Sequence, residues 1–365
     1  MATYLIVAVL LLTTTFIAPY FNKRSRMAMY IFWGIFLTLF ACLRECSLNM
    51  DYLVYKRLYE NTPTLNFLLE YPFKFIKSLD VEFSYGALCA VIKELNLTQH
   101  DSLSIIFIIY ALIGVPLNIY AIKRITDLEF LTLFIYFCNL YMLHELTQIR
   151  AGIATSFILL SIIPLQRNNK SLFSFLILIA GFFHTSAFMG IALLLMKKEP
   201  NIKIWGAICS LCIIVFLAKI DISKPLSFIP IDYFQFKLKA YIELQKKEHF
   251  EMNYLNIVFL IQITITIICL FYNDMIYKSN KYINILMNMN CLSICCFFFF
   301  SQIPGFAYRI SEIFNCSVLF LIPLLSKVMK PKFLANLLVI TIGFCILCIN
   351  IFHSNLVNEY KFFWQ

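Results

Sequence analysis

Residues 144–156 read His-Glu-Leu-Thr-Gln-Ile-Arg-Ala-Gly-Ile-Ala-Thr-Ser and join two strongly apolar runs, 128–143 and 151–165. Adjacent apolar runs of near-bilayer length predict a pair of membrane helices with a short polar corner between them. Gln148 and Arg150 then stand where a membrane helix ordinarily carries leucine. An arginine costs about 2.5–3.5 kcal/mol at the bilayer centre and less toward its edge. Such residues line a polar cavity, find a partner, or snorkel to the headgroups. Arg44, His184 and Arg309 occupy comparable positions.

Outward from this corner the pattern repeats. Of 365 residues, 61% are hydrophobic and 14% charged, with a mean hydropathy of +0.81. That excess of apolar surface predicts an all-α polytopic transmembrane protein of about 11–12 spans. The expected spans are 3–20, 27–43, 102–122, 128–143, 151–165, 171–183, 185–196, 202–219, 254–272, 282–300, 306–326 and 333–352. Gly114 and Pro116 predict a kink in the third. Ser301 to Gly305 predicts a break before the eleventh. Two long polar-aromatic segments, 45–101 and 220–253, interrupt the series. Within the first, 84–95 is a helical pattern too short and too charged to span, expected at the interface or as a re-entrant helix. No repeat and no separate soluble domain is visible, so residues 1–365 read as one integral membrane domain. The first apolar run is followed by Lys23, Arg24 and Arg26 and has no basic residues before it, which predicts a retained first helix.

The net charge of +10 is distributed over short loops between spans, which argues against nucleic-acid binding. The clusters at 23–26, 123–129, 167–170, 197–203, 273–281 and 327–332 hold 15 Lys/Arg against four Asp/Glu. The positive-inside rule makes that side cytoplasmic. Arg44, the 45–101 segment, His144 to Arg150, His184, the 220–253 segment and Arg309 then share the outer face. Thirteen cysteines include two CxxC pairs, Cys209/Cys212 and Cys345/Cys348, each inside an apolar run with no further pair or histidine nearby in sequence. A structural zinc site needs four converging ligands. These thiols are expected to pack as small hydrophobes, and no metal or other cofactor is expected.

Three arginines and a histidine at one membrane face suit an anionic, amphiphilic ligand. Guanidinium groups hold phosphate oxygens through charge-assisted hydrogen bonds, about 1.5–3 kcal/mol each. Arg44, Arg150 and Arg309 would bind the diphosphate of a lipid whose tail stays in the bilayer, and would stabilise its charge as a leaving group. A sugar acceptor needs a base for its hydroxyl proton; Asp51, His184, Glu312 and Glu145 are the candidates. The other readings are structural. The arginines serve as interfacial anchors, His184 packs between two short spans, and Glu312 neutralises Arg309 one turn away. Tyr52, Tyr55 and Tyr59 step at helical spacing, as an interfacial belt or as sugar-stacking platforms.

Four blocks carry a family resemblance. CLRECSLNMDYLVY at 42–55 resembles the Arg-x-x-x-x-Gly-x-Asp-Tyr-x-x-Tyr block of the EpsG family, itself similar to Wzy-type polymerases of exopolysaccharide and O-antigen. QIRAGIATSFILLSI at 148–162, FFHTSAF at 182–188 and AYRISEIF at 307–314 resemble its later blocks, in family order. One departure is Asn49, which stands where the family usually has glycine. The resemblance implies a polytopic, GT-C-like membrane glycosyltransferase of the bacterial cytoplasmic (inner) membrane, its active face outward. It would transfer a growing glycan from undecaprenyl diphosphate to the terminal sugar of another lipid-linked repeat unit. Arg44, Asp51, Arg150, His184 and Arg309 are the residues carried over by matched position. On our physical reading the arginines clamp the diphosphate, and Asp51, His184 and Glu312 serve as base or acceptor contact. Tyr52, Tyr55 and Gln148 would contact the sugar. Expected partners are undecaprenyl-diphosphate-linked glycans and membrane lipids, with a chain-length regulator and a flippase as further candidates and no nucleic acid. A transporter or flippase of lipid-linked oligosaccharide is the alternative, and a membrane O-acyltransferase a third reading.

The topology is tested with single cysteines in a background free of native ones. Those placed near Arg44, His184 and Gln235 are expected to react with an impermeant reagent from outside, and those near Arg124, Lys198 and Lys330 are not. Labelling of both sets from one side would dissolve the shared face.

Overall fold

The computed structural model describes every residue except 197–199, 228–234, 236–237, 244–251, 254–255, 273–274, 277, 279 and 364–365. Lys197, Lys198 and much of the 220–253 segment therefore lie outside the described residues. All regular structure among the described residues is helical, apart from two isolated bridges, Arg44 with Phe362 and Asn49 with Val357. The chain divides into two compact units, residues 1–188 with 329–365, and residues 189–328.

The first unit begins with α1 (Ala2–Ile17) and α2 (Lys23–Cys42). Asn22 caps α2 by accepting from the Ser25 amide at 2.9 Å. Four short helices then fill the 45–101 segment: α3 (Tyr52–Asn61), α4 (Leu65–Glu70), α5 (Pro72–Ser78) and α6 (Phe83–Lys93). α7 (Gln99–Ile125) starts at a Thr98 cap and runs through Pro116 as one helix, with Lys123 and Arg124 in its last turn against the negative end of its dipole. α8 (Glu129–Tyr136) continues as a π-helical stretch, Phe137–Glu145. α9 (Ile149–Gln166) and α10 (Lys170–Phe183) follow, then a 3-10 helix over Thr185–Leu195 where a short span was expected.

The second unit holds α11 (Ile202–Leu217), α12 (Ile257–Phe271), α13 (Ile283–Phe299), α14 (Pro304–Asn315) and α15 (Val318–Val328). The expected break lies before Pro304, and a further bend of 47° separates α14 from α15. Polar side chains pair inside this unit: Trp205 Nε1 donates to Asn288 Oδ1 at 2.8 Å, and Gln262 Nε2 to Asn290 Oδ1 at 2.8 Å. Cys295 brings a third thiol to the first CxxC pair, its Sγ 3.3 Å from that of Cys209. α16 (Lys332–Cys348) returns to the first unit and exposes Cys345 and Cys348.

By length and composition five helices among the described residues can cross a membrane: Ala2–Tyr20, Lys23–Cys42, Gln99–Ile125, Ile149–Gln166 and Lys332–His353. The bent pair α14–α15 makes a sixth. Several other expected spans are apolar helices of only 10–17 residues, including α10, α11, α12 and α13. The chain is thus an all-α polytopic membrane protein with a mixture of full-length and short helices.

Two buried carboxylates pin the helix 129–145 at its ends. Glu129 accepts from Arg26 at 2.9 Å and Lys123 at 3.2 Å, which gathers the ends of α2, α7 and α8. Glu145 turns back into the bundle, where Oε1 accepts from Asn118 Nδ2 at 2.8 Å and Tyr136 OH at 2.9 Å. Gly114 and Gly152 make room for it. A Cβ on Gly114 would stand 2.7 Å from Glu145 Oε2, and one on Gly152 3.3 Å. Glu145→Ala would leave the Asn118 and Tyr136 donors buried without an acceptor, at about 1–3 kcal/mol each. The expected outcome is a matching loss in unfolding free energy in mixed micelles, and Glu145→Gln should lose less; equal stability of all three proteins would show that the polar trio contributes nothing.

Candidate functional site

Arg44 lies two residues beyond the end of α2 and is buried. Its Nη1 donates to the Leu146 carbonyl at 2.7 Å and its Nη2 to the Leu48 carbonyl at 2.9 Å. The guanidinium thus ties the end of α2 to the corner between α8 and α9. Asn49 does the same through its side chain, Nδ2 donating to the Thr147 carbonyl at 3.0 Å, while its Oδ1 accepts from the Asp51 amide at 2.7 Å. Asn49, at the position where the related block has glycine, therefore works through an amide side chain that glycine lacks. Asp51 is half-buried immediately before α3. The C-terminal strand of chain lies over this corner. Glu45 N donates to the Lys361 carbonyl at 2.9 Å, Phe363 N to Leu43 at 3.0 Å, and Thr147 Oγ1 to Leu356 at 3.1 Å.

Gln148 and Arg150 follow at the start of α9, whose first turn is fixed by the same corner: Gln148 N donates to the Leu143 carbonyl at 2.8 Å. Arg150 reaches into the 45–101 segment. Its Nη1 forms an ion pair with Glu82 Oε2. Its guanidinium lies over the rings of Tyr55 and Tyr85, 5.5 and 5.9 Å from their centroids, a cation–π arrangement. Tyr85 OH donates to the Tyr55 carbonyl at 3.1 Å, locking the two short helices α3 and α6 together. Burial pushes the Tyr85 hydroxyl far above its ordinary value, so it remains a neutral donor.

Glu82, just ahead of α6, joins the three elements. One oxygen meets Arg150; the other lies 3.2 Å from His184 Nδ1 and accepts from Thr185 N at 3.3 Å and Thr185 Oγ1 at 3.2 Å. His184 ends α10 in an extended conformation, which turns its ring out of the helix line. A carboxylate between a guanidinium and an imidazole compensates the first and can orient the second through Nδ1.

The structure therefore brings Arg150 and His184 together through a residue that sequence reading passed over. Arg44 and Asp51 belong to the adjoining corner. Tyr55 is 2% exposed and packs against Tyr85 and Phe107, so it lines the arginine; Tyr52 is half-buried. Burial, with Cys46 and Glu45 nearby, holds the Tyr52 hydroxyl above its usual value. Arg309 and Glu312 stand half-buried, one turn apart on α14 in the second unit. Three buried polar atoms at the corner have no hydrogen-bond partner among the described residues: Arg44 Nε, Arg150 Nε and Gln148 Oε1. An arginine inside an apolar run requires a carboxylate, which is a chemical signal, but the 45–101 segment holds eight and the sequence does not single out Glu82 among them.

A family model described as the EpsG family matches residues 27–364, nearly the whole chain. No curated protein and no solved structure matches.

Removing one member of a buried ion pair costs about 3–5 kcal/mol because the other charge is left uncompensated. Glu82→Ala should therefore destabilise the protein by that order, and Glu82→Leu combined with Arg150→Met should recover most of the loss. Unfolding measurements that give simple additivity would show the two residues uncoupled.

Proposed function

The chain belongs to the EpsG family, and from that membership we propose that it is a polysaccharide polymerase working on lipid-linked repeat units. Family membership supports the coarser statement, a polysaccharide-related membrane glycosyltransferase. The finer one is our own. The protein transfers a growing glycan from undecaprenyl diphosphate to the terminal sugar of another lipid-linked unit, at the outer face of the bacterial cytoplasmic membrane.

One observation carries the reading. Arg150 is half-buried, with its side chain 14% exposed; it spends one guanidinium nitrogen on Glu82 and keeps Nε–H without a partner among the described residues. An anion bound at that edge would meet a cation already held in place by Glu82. Arg44 Nε–H offers a second donor at the adjoining corner. We assign Arg150, with Arg44 of the same unit, to the donor diphosphate. In the reaction the acceptor hydroxyl attacks the anomeric carbon, and the bond from that carbon to the diphosphate oxygen breaks. The diphosphate leaves with the bonding electrons, and a base takes the hydroxyl proton. His184 is our first choice of base: its Nδ1 lies 3.2 Å from a Glu82 oxygen, which assigns Nε2 to the acceptor hydroxyl. Asp51 is the other candidate in this unit, and Tyr52 and Gln148 Oε1 the sugar contacts. The donor is already activated by its diphosphate, so no nucleotide takes part in this step.

The decisive experiment uses full-length protein in detergent, where no second compartment exists. Single lipid-linked repeats are expected to become a ladder of longer glycans without added nucleotide sugar. Arg150→Lys should lose the ladder by at least about a hundredfold, because a point charge does not replace a planar guanidinium, while the protein still accumulates. If repeats stay unextended in detergent while proteoliposomes move them unchanged across the bilayer, the protein is a transporter.

A further inference from the structure

We propose that Glu45, Cys46 and His100 form a binding site for a divalent transition-metal cation, with zinc the best match to the donor set. The three residues belong to the first unit, where the turn after α2 meets the second residue of α7. Glu45 Oε1 lies 2.8 Å from His100 Nε2, and Cys46 Sγ lies 3.9 Å from each of them. The ligand atoms all fall within 4.8 Å of one another. Tetrahedral zinc with one sulfur, one nitrogen and one oxygen ligand places those atoms about 3.3–3.6 Å apart. Shifts of about half an ångström or less convert the present triangle into that one. Thiolate, imidazole and carboxylate together suit zinc or cobalt; calcium and magnesium favour all-oxygen sites.

The surroundings support ligation. Glu45 is fixed by its backbone bond to Lys361 and by the Ser47 amide, which donates to Oε1 at 3.0 Å. Ser104 Oγ stands 3.3 Å from the Cys46 sulfur, within reach of a hydrogen bond to a thiolate. Asp101 Oδ1 lies 3.9 Å behind His100 Nδ1, on the side where carboxylates commonly back a metal-bound imidazole. Cys46 is buried, whereas the His100 side chain is 46% exposed, so a cation has an approach from solvent and a fourth position open to water. Sequence spacing conceals the group, because His100 follows Cys46 by 54 residues. Between them lie α3 to α6, with Asp51, Tyr55 and Glu82. A cation bound here closes the base of the segment that delivers Glu82 to Arg150. It contacts none of those residues, so the proposal stands apart from the polymerase reading.

The test uses full-length protein in detergent, stripped with a chelator, desalted and titrated with Co2+. A thiolate-to-cobalt charge-transfer absorption is expected in the unsubstituted protein and in Cys209→Ser, and is expected to be lost in Cys46→Ser and His100→Ala. Absence of the band in the unsubstituted protein, or equal bands in all four proteins, overturns the site. A second measurement needs no variant. Zn2+ should slow maleimide alkylation of Cys46, followed by mass spectrometry, by about tenfold or more, since a metal-bound thiolate is withdrawn from reaction. An unchanged alkylation rate overturns the proposal even where the variants fail to fold.

Discussion

A guanidinium at the start of a mostly buried apolar helix has to be neutralised, and most of the first unit can be understood from that constraint. Arg150 opens α9, whose apolar window is 72% buried, more than that of any other helix long enough to span. The half-buried charge is only partly solvated there, and a carboxylate from elsewhere in the chain compensates it. Glu82 comes from a segment that composition alone describes as a long polar-aromatic loop. The pair explains why that segment is folded: α3 and α6 pack their tyrosines around the arginine, with Tyr55, Tyr85, Phe75 and Tyr110 in one apolar cluster that also contains Ile149 and Ile153 of α9. The loop is the wall of the site.

The same logic recurs at other depths of the unit. Glu129 collects two cations where α2, α7 and α8 meet, and Glu145 collects two neutral donors between α7 and α8. The second arrangement depends on small residues, since Gly114 and Gly152 leave the carboxylate its space. The π-helical stretch before Glu145 leads directly into the corner that Arg44 and Asn49 hold by backbone carbonyls. Wide helical turns of this kind occur often beside functional sites. Here the stretch delivers Gln148 and Arg150, and the corner bonds set the direction in which α9 departs. Arg44 therefore has a structural task, and Nε–H is among the donors that remain for anion contact.

The sequence by itself determined the membrane class, the helical fold, the family and most helix limits, because apolar period and length are local properties that a bilayer enforces. The break over Ser301 to Gly305 was equally local. It also marked Arg150 and His184 as out of place in apolar surroundings. Only the tertiary structure decided what those residues meet. Glu82 is 68 positions from Arg150, and Arg44 is 102 from Leu146. No periodicity links such pairs; they are chosen by packing and by the cost of leaving a charge or a carbonyl unpaired. The same reason hid the triangle of Glu45, Cys46 and His100, and made Tyr55 a buried ring against a guanidinium where its helical spacing suggested an interfacial belt or an open platform.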